Sequence, residues 1–332
     1  MRLGLLTAFT LVLILPLAVS ARSFADLGVG DTSSFSISAT PQYPAPRSQV
    51  TLSFLSSSLD LTNATLDVAA NGKSVYKGSV RPVAVVLGGT GSITAITATM
   101  SFGGATYEQT LRIQPQDVVL VAEPVSSAPA LYPGKPFVPL EGSVRIVAMA
   151  DMKNAEGSPL VPATLSYSWT VDGTRIANSS GIGKATLMVA APLQYRARDI
   201  SVAVSSQDGS LAGGASVSLT AREPVVRIYE HDPLLGIRFT RALTGTYAIK
   251  SAESTLFAAP FSFPTTRGAP LLQWFLSGSA AQTGNSITLR PTGDGQGSAS
   301  LSVVASSGDY TTATANLSLL FGDTPSTNLF GL

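Results

Sequence analysis

The sequence predicts an all-β protein built from three tandem β-sandwich domains. Apolar and polar residues alternate along short segments, and Gly or Pro interrupts them roughly every 8 to 12 residues, a spacing typical of sandwiches. One strand-and-turn segment also recurs three times at the spacing of a whole domain. No segment after the N-terminal apolar run has the period of an amphipathic helix, so we expect helices to contribute little to the fold.

The repeated segment is clearest at residues 167–173. There Tyr167, Trp169 and Val171 fall on one face of an alternating strand, and the Asp-Gly pair that follows is a common sequence for a two-residue hairpin turn. Degenerate copies occupy residues 66–72 and 272–278. Spacings of 101 and 105 residues separate the turn glycines of the three copies, Gly72, Gly173 and Gly278. A period of that length corresponds to one domain, and 332 residues are enough for three hydrophobic cores.

This period and the proline-rich breaks predict the domain boundaries. We expect a signal peptide at 1–21, sandwich domains at 24–115, 117–222 and 225–322, and a polar tail at 323–332. The tail contains no second apolar run of membrane length and no basic cluster, so we expect no anchor there.

The start of the second domain has an unusual pattern. Residues 118–121 are apolar at every position, whereas a strand with one exposed face alternates. This pattern predicts a strand that is buried on both faces or that lies between domains.

The N-terminus has the pattern of a secretory signal peptide. Met1-Arg2 is basic, residues 3–18 are apolar, and residues 18–21 are small enough for cleavage, with a second cleavage position after Ala25. The alternative is an uncleaved anchor, because the apolar run approaches the roughly 20 residues that span a bilayer. Pro16 would interrupt such a helix, which favours cleavage. We therefore expect an extracellular or cell-envelope protein that contacts the membrane only through this segment, if it is retained.

The composition argues against several classes of function. Charged residues make up 12% of the chain, below the roughly 25% of typical soluble proteins, and the formal net charge is +1. Such a surface offers no electrostatic footprint for nucleic acid. With no cysteine and one histidine, the chain has no disulfide and no thiolate zinc site, and we expect no cofactor.

The segment at 167–173, followed by the alternating strand at 199–204, resembles PKD-type and other bacterial immunoglobulin-like β-sandwich repeats. Those repeats place a Trp two residues after an aromatic residue, and the resemblance implies that Trp169 packs in a sandwich core. Trp274 matches in a looser frame and Val68 replaces the Trp in the first domain, so the resemblance covers about two thirds of the chain. The Gly-Asp-Gly that PKD repeats prefer after this strand is missing.

The whole chain also resembles uncharacterised signal-bearing surface proteins of bacteria. That similarity implies location in the cell envelope. Together with the repeat, it implies three tandem immunoglobulin-like β-sandwich domains after an N-terminal signal peptide.

Two segments have a chemical interpretation that competes with a structural one. His231 lies between Glu230 and Asp232, yet adjacent residues on an extended segment point in opposite directions, so a turn before Pro233 is favoured over a catalytic base. The glycine-rich run at 293–297 has one acid, Asp294, whereas calcium needs several oxygen ligands. A flexible hairpin turn is favoured there.

Three further acids and two tryptophans have similar alternatives. Asp172, Asp208 and Asp309 lie beside turn glycines and are expected to bond local backbone, with cation binding as the alternative. Trp169 and Trp274 are expected in cores, because each follows an in-facing residue two positions earlier; ligand stacking is the alternative.

Several phenylalanines complete the candidates. Phe102 and Phe275 are better placed for exposure and for contact with a partner. Phe257, Phe261 and Phe263 lie close together in one segment, and Pro260 and Pro264 within it predict a bent strand folded onto the core.

These observations favour an exported, non-enzymatic surface or extracellular structural or adhesive protein with no catalytic, cofactor or metal site. Tandem sandwiches without cofactor motifs are most often spacers and binders, so we expect an unknown protein or glycan partner at the cell surface. Two alternatives stay open. One is a carbohydrate-binding accessory module of a secreted enzyme system; the other is a subunit of a pilus-like polymer, its open sheet edge completed by a neighbouring chain.

Overall fold

The computed structural model describes residues 35–249, 252–292, 296–308 and 311–322. The signal-peptide prediction at 1–21 and the tail prediction at 323–332 lie outside the described residues. Two compact units divide the described chain. The first contains residues 35–40, 50–85 and 93–113, and the second contains residues 41–49, 86–92 and everything described from 114 onward.

The first unit contains a sandwich of two sheets. One sheet has the order β1-β2-β5 and the other has the order β4-β3-β6-β7. The strands are β1 (Ser36–Thr40), β2 (Gln49–Leu55), β3 (Thr65–Ala70), β4 (Lys73–Ser79), β5 (Val83–Val86), β6 (Thr94–Phe102) and β7 (Ala105–Ile113). Alternation along these strands sends every second side chain inward, and Leu52, Val68 and Ile96 are fully buried between the sheets.

The second unit begins with a sandwich whose sheets have the orders β13-β9-β8 and β11-β10-β14-β15. Its strands are β8 (Asp117–Pro124), β9 (Ser143–Asp151), β10 (Ser166–Val171), β11 (Thr174–Arg175), β12 (Gly181–Ile182), β13 (Thr186–Ala190), β14 (Ala197–Ser205) and β15 (Ala212–Thr220). Two 3₁₀ helices, Pro162–Thr164 and Ala177–Ser179, flank β10 and β11. We call this the middle sandwich.

The last sandwich follows in the same unit, with sheets in the orders β17-β16-β19-β22 and β18-β24-β23-β20-β21. Its strands are β16 (Val225–Asp232), β17 (Gly236–Ile237), β18 (Gly245–Ile249), β19 (Ser254–Phe261), β20 (Leu271–Leu276), β21 (Ser279–Thr283), β22 (Ser286–Leu289), β23 (Gly297–Ser307) and β24 (Thr311–Phe321). The pair β18 and β24 is parallel, while the other strand pairs described in this sandwich are antiparallel.

One strand order recurs in all three sandwiches. If the short additions β12, β17 and β18 are set aside, each sandwich has seven strands; the first, second and fifth form one sheet, and the other has the order fourth, third, sixth, seventh. Two packed sheets with this division are an immunoglobulin-like arrangement. The prediction of tandem immunoglobulin-like sandwiches is therefore confirmed.

The hairpin between the third and fourth strands also repeats. Its first turn residue has φ of 48° at Asn71, 49° at Asp172 and 48° at Ser277, and a glycine at φ of 77–80° follows each. Two successive positive φ values define a type I′ turn, which requires Gly or a short polar residue. The N–H of that first turn residue donates to the sixth strand in every copy, with N to O distances of 2.7, 2.8 and 2.8 Å. The recurrence predicted from sequence is thus the same turn in each sandwich.

The strand at 118–121 differs from its prediction. It belongs to β8, which forms the edge of a three-stranded sheet, and although Val118 is buried, Val119 is 52% exposed. The expectation of burial on both faces was wrong, because the outer face of this sheet lies open instead of against another layer.

Candidate functional site

Both tryptophans lie in the cores, as predicted. Trp169 and Trp274 occupy the third strand of their sandwiches and have no exposed surface. Each indole Nε1–H donates to a backbone carbonyl later in the chain, that of Lys184 at 2.8 Å and that of Gly284 at 2.9 Å. These bonds satisfy the only polar atom of a buried ring, so neither indole is available for ligand stacking.

The turn expected before Pro233 begins at Pro233 itself, directly after strand β16. His231 lies in strand β16 opposite Ile237 and Thr255, and the chain then turns. Asp232 Oδ1 accepts the backbone N–H groups of Leu234 and Leu235 at 2.8 and 3.0 Å. These two bonds, helped by the guanidinium of Arg238, hold the pKa of the Asp232 carboxyl below its ordinary value of 3.8. Asp232 acts here as a turn cap.

Asp172 and Asp208 also accept hydrogen bonds from backbone N–H groups. Asp172 Oδ1 accepts the N–H of Asp199 at 2.9 Å, and its Oδ2 forms an ion pair with Arg198 at 3.1 Å. Asp208 accepts the Ser206 hydroxyl and both the hydroxyl and the N–H of Ser210, which lower its pKa. The expected bond to local backbone is confirmed for Asp208; Asp172 lies in the turn as expected, but its carboxylate bonds the distant strand β14 instead of local backbone. Asp294, Asp309 and most of the glycine-rich run at 293–297 lie outside the described residues.

The described residues contain no group of three or more His, Cys, Asp or Glu side chains that could hold a metal ion. Within the same ranges, no helix is long and apolar enough to cross a membrane. Phe102 and Phe275, the two phenylalanines expected to be exposed, are half-buried.

The phenylalanines of β19 do not all enter the core. Phe257 and Phe261 point to the outer face of their sheet, opposite to Leu256 and Ala258 in the core. Strand alternation would place Phe263 on the same outer face as Phe261. Ser262, with φ of 66°, breaks that alternation, and Phe263 therefore enters the core. The expectation of one strand folded onto the core was therefore wrong for Phe257 and Phe261.

The outer-face phenylalanines belong to an aromatic cluster that sequence reasoning missed. We call it the junction cluster; its aromatic members are Tyr132, Tyr229, Phe239, Phe257 and Phe261. Tyr132 comes from the β8–β9 loop of the middle sandwich and meets Phe239 and Phe261 edge-on, with ring centroids 5.6 and 4.9 Å apart. Burial raises the pKa of Tyr229. The loop thus covers an apolar face of the last sandwich.

Hydrogen bonds also join this loop and the linker to the last sandwich. The Ser127 N–H donates to the Phe263 carbonyl at 2.8 Å, and the Ser127 hydroxyl accepts the Phe263 N–H at 3.1 Å. The buried Ser262 hydroxyl donates to the Arg222 carbonyl at 2.9 Å. The middle and last sandwiches are therefore joined by a hydrogen-bonded apolar junction in addition to the linker.

A groove lies beside this junction, at one end of the middle sandwich. Its volume is about 600 Å³. It lies between residues 194–197 on one side and, on the other, the end of β15 and the linker at 221–224, with Leu140 as a further wall. Tyr195, at its rim, is 94% exposed. The side chains of Arg196, Arg222 and Glu223 add polar groups.

A second groove, of about 470 Å³, belongs to the first unit and includes Arg81. The Arg81 guanidinium lies over the ring of Tyr76, 4.6 Å from its centroid. This cation therefore already makes a cation–π contact within the chain. In contrast, neither Arg196 nor Arg222 makes an ion pair or a side-chain hydrogen bond with any described residue. The groove beside the junction is therefore the better candidate site.

These features define an immunoglobulin-like repeat protein. No family model matches the sequence, and no curated protein matches it. Among solved structures, the chain is similar to the central fibronectin-III array of RIM-binding protein, with 8% identity, a TM-score of 0.31 and coverage of 87% of this chain and 96% of the other.

Two further solved structures have similar domain arrays. For the three N-terminal domains of the bacteriophage RB49 highly immunogenic outer capsid protein, the identity is 12%, the TM-score 0.24, and the coverage 88% of this chain and 100% of the other. For the Clostridium thermocellum CbhA fibronectin(III)-like modules, the identity is 13%, the TM-score 0.24, and the coverage 59% of this chain and 94% of the other. The fold assignment rests on the strand order described above.

Proposed function

We propose that the protein is an exported, non-enzymatic structural or adhesive protein of the cell surface or the extracellular space. The observation that carries this proposal is the repetition of one sandwich three times in a single chain. The described cores are filled by apolar side chains and a tryptophan or valine on the third strand, so binding is left to the outer surfaces and loops. The PKD-type resemblance around Trp169 supports a surface protein of the bacterial kind.

Export is tested by expressing the full chain in a secreting bacterial host and measuring the intact mass of the protein in the medium. The expected result is the loss of about 20 to 25 N-terminal residues. A matched control, Leu13→Arg, places a charge in the apolar run and should keep the chain inside the cell. Recovery of an uncleaved chain in the membrane fraction would contradict the secreted form of the proposal.

The alternative with a specific observation in its favour is a carbohydrate-binding accessory module. An exposed aromatic side chain beside polar groups in an open groove is the arrangement that Tyr195 and the linker provide. Aromatic rings stack on the apolar faces of sugars while polar side chains bond the hydroxyls. Saturable binding of a soluble polysaccharide by the purified chain would favour this alternative over a purely structural role.

A further inference from the structure

The loop that carries Tyr195 adopts a conformation that suits another residue better. The Arg196 N–H donates to the Leu193 carbonyl at 3.1 Å and closes a four-residue turn. Tyr195 is its third residue and has φ of 60°, while Gln194 is not among the residues with positive φ. A positive φ at the third position alone defines a type II turn, which favours Gly or Asn there. Tyrosine is strained at this position.

Burial does not compensate for that strain. Tyr195 is 94% exposed, so its ring gains little from packing against the sandwich. Residues held in unfavourable backbone conformations cluster at ligand-binding sites, where the conformation aims a side chain. Tyr195 combines such a conformation with a place at the rim of a groove.

Hydrogen bonds within the chain hold the walls of the groove in place without a ligand. Gln194 Nε2 donates to Glu223 Oε1 at 2.8 Å, which ties the turn to the linker. The Arg222 N–H donates to the Val138 carbonyl at 2.8 Å, and the Arg222 carbonyl accepts the Ser262 hydroxyl. A preformed site loses less conformational entropy on binding than a flexible one. The junction between the sandwiches therefore also organises the groove.

The charge of the groove indicates an anionic ligand. The guanidinium groups of Arg196 and Arg222 are exposed and have no partner among the described residues, whereas the nearby Arg198 is paired with Asp172. Glu223 is the one carboxylate of the groove, and it already accepts a bond from Gln194. A guanidinium binds carboxylate or sulfate through parallel hydrogen bonds.

We infer that this groove binds an acidic polysaccharide, with one sugar ring stacked on Tyr195 and carboxylate groups on Arg196 and Arg222. The Gln194–Glu223 pair faces the hydroxyl groups. The volume of about 600 Å³ falls within the roughly 300 to 1,000 Å³ of small-ligand sites, enough for a short stretch of such a polymer. This inference rests on the proposed surface function, within which it takes the carbohydrate-binding alternative and names the class of ligand. A sugar is favoured over an acidic peptide because the aromatic side chain stands at the rim with its faces free.

The test uses the mature chain and three soluble polymers: polygalacturonate, neutral dextran and poly-L-glutamate. Retardation in affinity electrophoresis should occur with polygalacturonate alone and should weaken as the salt concentration rises. Tyr195→Asn should reduce this affinity at least tenfold while leaving the unfolding midpoint unchanged or higher, because Asn tolerates positive φ. Tyr195→Trp should retain binding. The double variant Arg196→Gln, Arg222→Gln should lose it, and the exposed control Arg175→Gln should not.

Each other outcome overturns the inference. If dextran bound as tightly as polygalacturonate, the two arginines would not recognise the charge of the polymer. If poly-L-glutamate bound as tightly, the groove would be a site for acidic peptides. No binding of polygalacturonate, or full binding by Tyr195→Asn, would reject the site. Signal cleavage, measured by intact mass on the same protein, reports on the proposed surface function separately, so the two failures are distinguishable.

Discussion

The middle and last sandwiches bury a tryptophan in the same way, yet they differ in what covers the outer face of the sheet that contains their first two strands. In the middle sandwich the outer face of the β13-β9-β8 sheet exposes Val119, Met149 and Met188, which are 52%, 61% and 53% exposed. In the last sandwich the corresponding face carries Tyr229 and Phe261, buried under the β8–β9 loop. The comparison shows that the core plan is repeated while the outer faces are specialised, one open and one closed by a neighbour.

The largest expected effect concerns the shared core. Trp169→Ala should destabilise the middle sandwich by about 3 to 5 kcal/mol, because it removes a fully buried ring and its bond to Lys184. The chain has two tryptophans, so Trp274 then reports on the last sandwich by fluorescence while circular dichroism follows the total loss of strand structure. Trp274→Ala is the converse variant. A change within about 0.5 kcal/mol for either variant would contradict the burial of that indole in its core.

The next effect tests the closed face. Tyr132 belongs by sequence to the middle sandwich. Nevertheless, Tyr132→Ala should destabilise the last sandwich by about 2 kcal/mol, because it uncovers Phe239 and Phe261. In a Trp169→Phe background, the fluorescence of Trp274 reports the last sandwich alone. Leu131→Ala is the matched control, since Leu131 is 96% exposed and should change stability by less than about 0.5 kcal/mol. Equal effects of the two variants would show that the loop does not support its neighbour.

A smaller effect is expected at the repeated turn. Asp172→Ala should cost about 1 to 2 kcal/mol, because alanine is strained at φ of 49° and leaves the Asp199 N–H without its acceptor. Asp172→Asn keeps the acceptor oxygen and tolerates positive φ, as Asn71 does in the first sandwich, so it should cost less. Denaturant unfolding in a Trp274→Phe background measures both. If Asn cost as much as Ala, the ion pair with Arg198 would be the dominant interaction instead.

The smallest effect is a pH dependence of the β16–β17 turn. The pKa of Asp232 is lowered in the folded chain, so its contribution to stability is present above its ordinary value of 3.8 and is lost as the pH falls through the folded pKa. Wild type should therefore have a higher thermal midpoint than Asp232→Asn at about pH 6, and the difference should shrink towards about pH 2.5. A difference that stayed constant over this range would show that the carboxylate charge does not stabilise the turn.

The sequence was a good guide wherever a residue's environment depends on near neighbours. Alternation placed Trp169 and Trp274 in cores, and the Asn-Gly, Asp-Gly and Ser-Gly pairs identified the recurring turn, because both signals act within a few residues. The open face of β8 was not predictable in the same way. A strand apolar on both faces has the same pattern whether a partner covers it or not, so Val119 was wrongly expected to be buried.

The junction cluster and the groove depend on residues far apart in the chain. Tyr132 lies in a proline-rich loop without alternation, and its partner Phe261 is more than a hundred residues later, so no local signal connects them. Ser262 gives no warning of its positive φ, since serine is not specialised for it. Tyr195 likewise follows ordinary loop residues. An aromatic residue three positions after Pro192 could have marked it, but the charges of the linker come close to it only in the folded chain.

The loop that covers the last sandwich also bears on how the chain would respond to tension. The linker at 221–224 has its Arg222 N–H bonded to Val138, and the loop ahead of Val138 is bonded to Phe263. Pulling the two sandwiches apart must therefore shear these bonds and expose Tyr132 and Phe261 before the linker can lengthen. Under tension we therefore expect the middle and last sandwiches to separate only after the hydrogen bonds of the junction have broken.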